Sequence, residues 1–226
     1  MKVAAGTYNE NLALKSGICL EGAGIDQTII SKSGASGMTG DGVSYVIVKG
    51  LTVSNSGCSP GLCGGGGDGG GIRLSQSSYV TVQSCRLPGN AAVNGGGMLA
   101  TESSVVVDHC LIDHNTANNI GGGVAADSNS SVALTNDTVT NNVWSNALGN
   151  GGVGGVSSAG SGVQITNSIV WGNTGQDFSG SGVGVSSSDI GSWSGGTNNV
   201  NSNPKFVSSA DYHLQAGSAA GGMGAY

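Results

Sequence analysis

Apolar and polar residues alternate along this chain in short runs, and the runs themselves recur. Four stretches align: GGGIRLSQSSYVTVQSCRLPGN (69–90), GGGMLATESSVVVDHCLIDHN (95–115), GGGVAADSNSSVALTNDTVTNN (121–142) and GGVSSAGSGVQITNSIVWGN (154–173). In each, a pair of residues two apart follows the glycines: Ile72/Leu74, Met98/Ala100, Val124/Ala126 and Val156/Ser158. A second pair falls at Val80/Val82, Val105/Val107, Val132/Leu134 and Val163/Ile165, and a third at Cys85/Leu87, Cys110/Ile112, Asp137/Val139 and Ser168/Val170. Every unit closes on Asn, at Asn90, Asn115, Asn142 and Asn173. A more divergent unit, YVIVKGLTVSN, precedes them at 45–55.

Alternation with a period of two means strands with one face buried, and the Gly/Asn/Ser clusters between them mean tight turns. A repeat of roughly 26 residues is too short for a propeller blade, which takes about 40 or more. It fits one coil of a parallel β-helix, in which each strand bonds its equivalent about 4.8 Å along the axis. The expected fold is therefore all-β, a solenoid of about seven or eight coils with three short strands per coil. The alternate Val, Ile, Leu and Ala columns point inward, and Cys85 and Cys110 read as small apolar fillers stacked in consecutive coils. The Asn column is expected to stack as an amide ladder, and the glycine triplets to turn the chain sharply at the opposite corner. Asp137 stands in a column held by Cys in two sister units. A turn shifted by one residue is read there in preference to a buried carboxylate. The whole of 1–226 reads as one domain: divergent N-terminal coils over 1–44, regular coils over 45–196, and a segment over 197–226 that lies across the final coil and shields its strand edges.

Composition narrows the function. With 44 Gly, 4% aromatic and 9% charged residues the chain is unusual, yet 37% apolar content at a net charge of −6 separates it from disordered sequences. Seven Lys and Arg residues in an acidic chain exclude nucleic acid and anionic membrane surfaces as partners. No apolar run approaches the ~18 residues of a membrane span. The opening MKVAAGTYNENL has no apolar core, so no signal peptide is read in it. Of the five cysteines, Cys58 and Cys63 sit in a Pro/Gly loop, CSPGLC, and are read as a local disulfide; at least one thiol of the odd total stays free. Whether Cys85 and Cys110 are bridged stays open. No Cys/His spacing suits zinc, and no cofactor is expected.

Several stretches resemble known families. The GG-apolar starts and Asn endings resemble the GGAI and FxxN repeats of polymorphic outer-membrane passenger proteins. VAAGTYNENLALKSGICLEGAG followed by QTII resembles the opening coil of pectin-lyase-like β-helices. NSIVWGN, SDIGSW and NVNSNPKFVSSADYHLQAGSAA resemble the last coils of secreted bacterial proteins with a choice-of-anchor Q domain. These resemblances imply a right-handed helix in an extracellular or cell-surface setting. They imply little about activity, since that superfamily includes lyases, hydrolases, esterases and adhesins.

The richest cluster of chemistry is Arg86, Asp108, His109, Asp113 and His114, around one corner of two coils. A carboxylate beside a cation could bind or deprotonate a uronate sugar, and His titrates in the useful range. Neighbours on a strand point to opposite faces, so Asp108 and His109 cooperate only if a turn begins between them. Asp113 and His114 occupy a column whose sister residues are Pro88-Gly89, Thr140-Asn141 and Trp171-Gly172; it reads as solvent-facing. No two carboxylates share an outward column on adjacent coils, which weakens both a calcium-dependent lyase and an esterase with paired carboxylates. Arg73, Glu102 and an outward Trp171 are candidate ligand contacts, the last because an exposed indole stacks on sugars. The reading that results is a secreted or cell-surface β-helix module, non-catalytic, in contact with polysaccharide or another surface. The alternative is a lyase or esterase acting on an acidic or acylated glycan. The alternative requires a groove in which at least three charged groups converge.

Overall fold

The computed structural model describes residues 1–57, 68–145, 152–191 and 193–224. The alternating runs form three parallel sheets that wind into a right-handed β-helix, the hand that parallel crossovers take. The first sheet stacks Leu12–Ala13, Met38–Asp41, Ile72–Ser75, Met98–Thr101, Val124–Asp127, Val153–Ala159 and Gln176–Gly180. The second stacks Cys19–Glu21, Ser44–Lys49, Ser78–Gln83, Ser104–Asp108, Ser131–Thr135, Gly162–Thr166 and Val183–Ser186. Seven strands in each mean seven coils. In the second sheet Val46, Val80, Val105, Val132, Val163 and Val183 are partners in strict succession. The same holds for Ile72, Met98, Val124 and Val156 in the first.

The third sheet departs from three straight sides. Thr52–Gly57 is one strand, but it pairs with Arg86–Pro88 at one end and with Ala91–Asn94 at the other. From there on, the Asn corner bends each rung and splits the sheet into two arms. One runs through Leu111–Asp113, Thr138–Thr140, Ile169–Trp171 and Asp189–Ile190, the other through Thr116–Ile120 and Val143–Trp144. The middle coils therefore carry a fourth short strand.

Three corners close with a polar ladder each. A backbone N–H at a corner points along the axis and needs an acceptor, because it is buried among apolar columns. Asn supplies it as expected: the amides of Ser56, Asn90, Asn115 and Asn142 donate to Oδ1 of Asn90, Asn115, Asn142 and Asn173 at 2.8–3.0 Å. Asp177 ends the series by accepting from Asn173 N and Nδ2. A serine ladder joins the first sheet to the second: Val43, Ser77, Ser103 and Ser130 N–H groups donate to Oγ of Ser77, Ser103, Ser130 and Ser161. Between the second and third sheets the column is mixed. Cys110 Sγ accepts from Cys85 N, Asp137 Oδ1 from Cys110 N at 2.7 Å, Ser168 Oγ from Asp137 N and Ser188 Oγ from Ser168 N.

Asp137 thus corrects the sequence reading. The turn is not shifted; the carboxylate is fully buried and takes its place in the ladder, its Oδ2 accepting from Thr135 N. Burial pushes its carboxyl well above the usual range, against the hydrogen bonds from Cys110 N and Thr135 N. Cys85 and Cys110 are free, as is Cys19, and the two buried ones act as ladder members as well as fillers. The Cys58–Cys63 pair lies outside the described residues.

The glycine runs serve two purposes. Gly95 and Gly121 take φ of +62° and +60° and make the turn. Their successors allow close stacking: a Cβ on Gly96 would sit 2.5 Å from Gly122 O. The C-terminal segment also differs from expectation. Only its beginning caps the last coil, through Ser187 N to Thr197 O and Val200 N to Ser188 O. The rest runs back over the outside of the third sheet as far as the coil of His114, with Gly224 N donating to Asn167 O and Tyr212 lying against Asn141. Gly224 packs against outward-facing Thr138 and Ile169, and Ser202 N donates to Asp189 Oδ1 at 3.2 Å.

Candidate functional site

His109 and His114 both take left-handed backbone, φ +53° and +56°. His109 shares its corner column with Ser84, Asn136, Asn167 and Ser187, all between +49° and +57°. His114 shares its own with Gly89, Asn141 and Gly172. This conformation rotates each imidazole back over the end of the preceding strand, which satisfies the condition that a turn separate the pair. His109 Nδ1 lies 2.7 Å from Asp108 Oδ1, and His114 Nδ1 lies 2.9 Å from Asp113 Oδ2.

Asp108 faces outward on the second sheet. Its Oδ2 accepts from Gln83 Nε2 at 2.9 Å and its Oδ1 from Asn136 Nδ2 at 3.1 Å. Partial burial works against ionisation, but the hydrogen bonds from Gln83, Asn136 and His109 outweigh it and hold the carboxyl below its usual range. A carboxylate so supplied with donors is a weak base and a good acceptor. Asn167 Nδ2 extends the chain of amides to Asn136 Oδ1 at 2.7 Å. The corner is a polar ribbon of imidazole, carboxylate and amide groups.

Asp113 is the opposite case and corrects the reading of its column as solvent-facing: its side chain has no exposure at all. Arg86, whose partner across the rung is Leu111, reaches diagonally to it with Nε at 3.2 Å and Nη2 at 2.9 Å. Tyr212 of the C-terminal segment covers the pair. Its hydroxyl donates to Ser209 O at 3.0 Å, accepts from Asn141 Nδ2 at 3.1 Å and lies 3.4 Å from His114 Nδ1. Burial pushes the phenol up. Three charged or titratable groups do converge here, but each is committed to another. A general base must come within about 3 Å of the proton it takes, and Asp113 is out of reach of any substrate.

The remaining candidates fall on different sides of the helix. Arg73 faces outward on the first sheet, paired with Asp41 at 2.8 Å. Glu102 sits at the serine-ladder corner, accepting from Gln76 Nε2 at 3.2 Å. The structure does not bring either to Trp171, which lies on the third sheet. Among the described residues no three His, Cys, Asp or Glu side chains stand close enough to hold a metal ion.

Trp171 does belong to a site. Between it and the returning C-terminal segment lies a cleft of about 290 Å³, walled by Trp171, Phe206 and Tyr212 and furnished with Thr140, Asn141 and Asn203. Phe206 packs edge-on against Tyr212, ring centroids 5.2 Å apart. No charged side chain lines the cleft. The sequence reading placed Trp171 outward; it missed Phe206 and Tyr212 because they lie outside the repeat.

The coils that build these surfaces are also recognisable as a family. A family model described as a right handed beta helix region matches residues 8–170. The chain belongs to the right-handed β-helix family. No curated protein matches this β-helix protein. Among solved structures it is similar to the A-module of mannuronan C-5 epimerase AlgE4 from Azotobacter vinelandii, at 16% identity, covering 84% of this chain and 66% of that one, with a TM-score of 0.35. At that level the likeness has no bearing on chemistry.

Proposed function

We propose that this protein is an exported, non-catalytic β-helix module that holds a glycan in the cleft between Trp171 and the C-terminal segment. The uncharged, aromatic-walled character of that cleft carries the reading. Aromatic faces meet the apolar faces of a sugar ring, and hydroxyl and amide groups beside them meet its hydroxyls. The titratable groups that an enzyme would need are either sealed, at Asp113, or tied into a series of neutral amides, at Asp108 and His109.

Titration calorimetry against a panel of soluble plant and bacterial polysaccharides tests it. Trp171→Ala should weaken the best ligand by at least about tenfold, or 1.4 kcal/mol. Incubation with pectin, alginate and acetylated xylan should give neither unsaturated uronates nor acetate. Turnover that disappears in both Asp108→Asn and His109→Ala would replace this reading with a lyase or esterase.

A further inference from the structure

The second sheet, a different one from that of the cleft, carries a feature of its own. Tyr45 and Tyr79 are 67% and 65% exposed, and their rings stack with centroids 4.9 Å apart and planes within 8°. The separation matches the rise of one coil. Both residues are insertions. Two residues separate Val43 from Val46 and Ser77 from Val80, whereas one separates Ser103 from Val105, Ser130 from Val132 and Ser161 from Val163. The extra residue bulges outward with φ +57° in one coil and +54° in the next. A bulky aromatic in the left-handed region is strained. Three later coils turn the same corner without it, so closing the corner does not require the bulge. What the bulge achieves is to re-aim two rings into solvent.

The rings stand beside a flat, mixed surface. Ile47 and Val106 are 39% and 43% exposed on either side of Thr81 in one outward column. Four of the seven exposed large apolar side chains among the described residues thus lie on this sheet. Polar groups frame them: Gln76 with Glu102 at one corner, Gln83 with Asp108 towards the other, and Lys49 paired with Glu21 at 3.5 Å. Four side chains make too small an apolar area for a stable protein partner, which needs about 800 Å² a side. Lys49 is already paired, and the acidic groups around the patch repel an anion. We propose that the Tyr45–Tyr79 stack is a second glycan platform, one that takes the pyranose rings of a neutral polysaccharide. The outer faces of the stacked rings meet axial C–H groups, and the surrounding amides and hydroxyls meet the sugar's hydroxyls. The proposal rests on the glycan reading but uses a separate surface.

Affinity electrophoresis and calorimetry with neutral xylan, neutral β-glucan and polygalacturonate test it, on the wild type, Tyr45→Ser/Tyr79→Ser, Tyr45→Phe/Tyr79→Phe and Trp171→Ala. Circular dichroism confirms folding of each variant; Tyr79→Ser alone replaces the double variant if that one does not fold. The serine variant should lose at least about tenfold in affinity for a neutral polysaccharide. The phenylalanine variant should retain most of it, and Trp171→Ala should leave a tyrosine-dependent component. Undiminished binding by the serine variant overturns the platform and leaves the cleft reading standing. So does a preference for polygalacturonate that the serine variant loses. A wild-type dimer that the serine variant dissociates overturns it in favour of a second copy. Failure of the wild type to retain any glycan overturns both readings.

Discussion

One coil uses the dipeptide Asp-His twice, at Asp108–His109 and at Asp113–His114, with the same backbone device and nearly the same Nδ1–carboxylate distance. At the first, the imidazole and the carboxylate edge lie in water and the donors besides His109 are neutral amides. At the second, the carboxylate is fully covered, held by a guanidinium and roofed by a tyrosine some hundred residues on. The corners are alike locally, so the difference comes from what packs over them. A repeat decides which way a side chain points; whether that direction ends in solvent depends on chain outside the repeat.

The contrast breaks first at Arg86. Arg86→Ala leaves the Asp113 carboxylate buried without its cation, which should cost about 2–4 kcal/mol, the lower part of the range reflecting that Arg86 is itself a third exposed. Chemical denaturation reads this directly. A cost below about 1 kcal/mol would mean that Asp113 is not sealed. A third aspartate sharpens the comparison, because Asp137 is buried with no cation. Its carboxyl titrates above the ordinary ~3.9 in the fold, so in the window above that value the folded chain holds a proton the unfolded chain gives up, and stability falls as pH rises. Asp137→Ser, copying Ser168 of the next coil, should raise Tm at pH 7 by about 2–4 °C. The gain should vanish below pH ~4, and a gain equally large there would show that burial of the acid is not its cause. Smallest of all is the open pair: Asp108→Ala should cost under about 1 kcal/mol, and His109→Asn, which imitates Asn136 in the same column, should change stability by no more than about 0.5 kcal/mol.

The coil register was legible because the valine and asparagine columns repeat with little drift and every coil must satisfy the same core and the same corner amides. Tyr45 and Tyr79 left a signal that could have been read, SYV in two successive units where the later ones have SV or its equivalent. The serine ladder did too, a Ser two places before the valine column in three units running. Asp137 misled because a buried, hydrogen-bonded carboxyl was ranked below a shifted turn, when the corner amides of Cys110 and Thr135 supply the donors it needs. The burial of Asp113 and the aromatic cleft were not legible. They depend on 203–224 folding back across the third sheet, and no periodicity relates that segment to the surface it covers.

The three corner ladders also govern where this chain could change length. Seven residues lead from Ser103 to Cys110, Ser130 to Asp137 and Ser161 to Ser168, and five more to Asn115, Asn142 and Asn173. The return from Asn to the next Ser takes 13 residues from Asn90, 15 from Asn115 and 19 from Asn142. Among these three returns the length difference falls on one seam, the glycine-rich edge, where Asn119 donates to Asn94 and Asn94 to Asp68 from rung to rung in place of the backbone-to-side-chain ladders of the other corners. Length added along that seam leaves the seven- and five-residue spacings of the other corners unchanged.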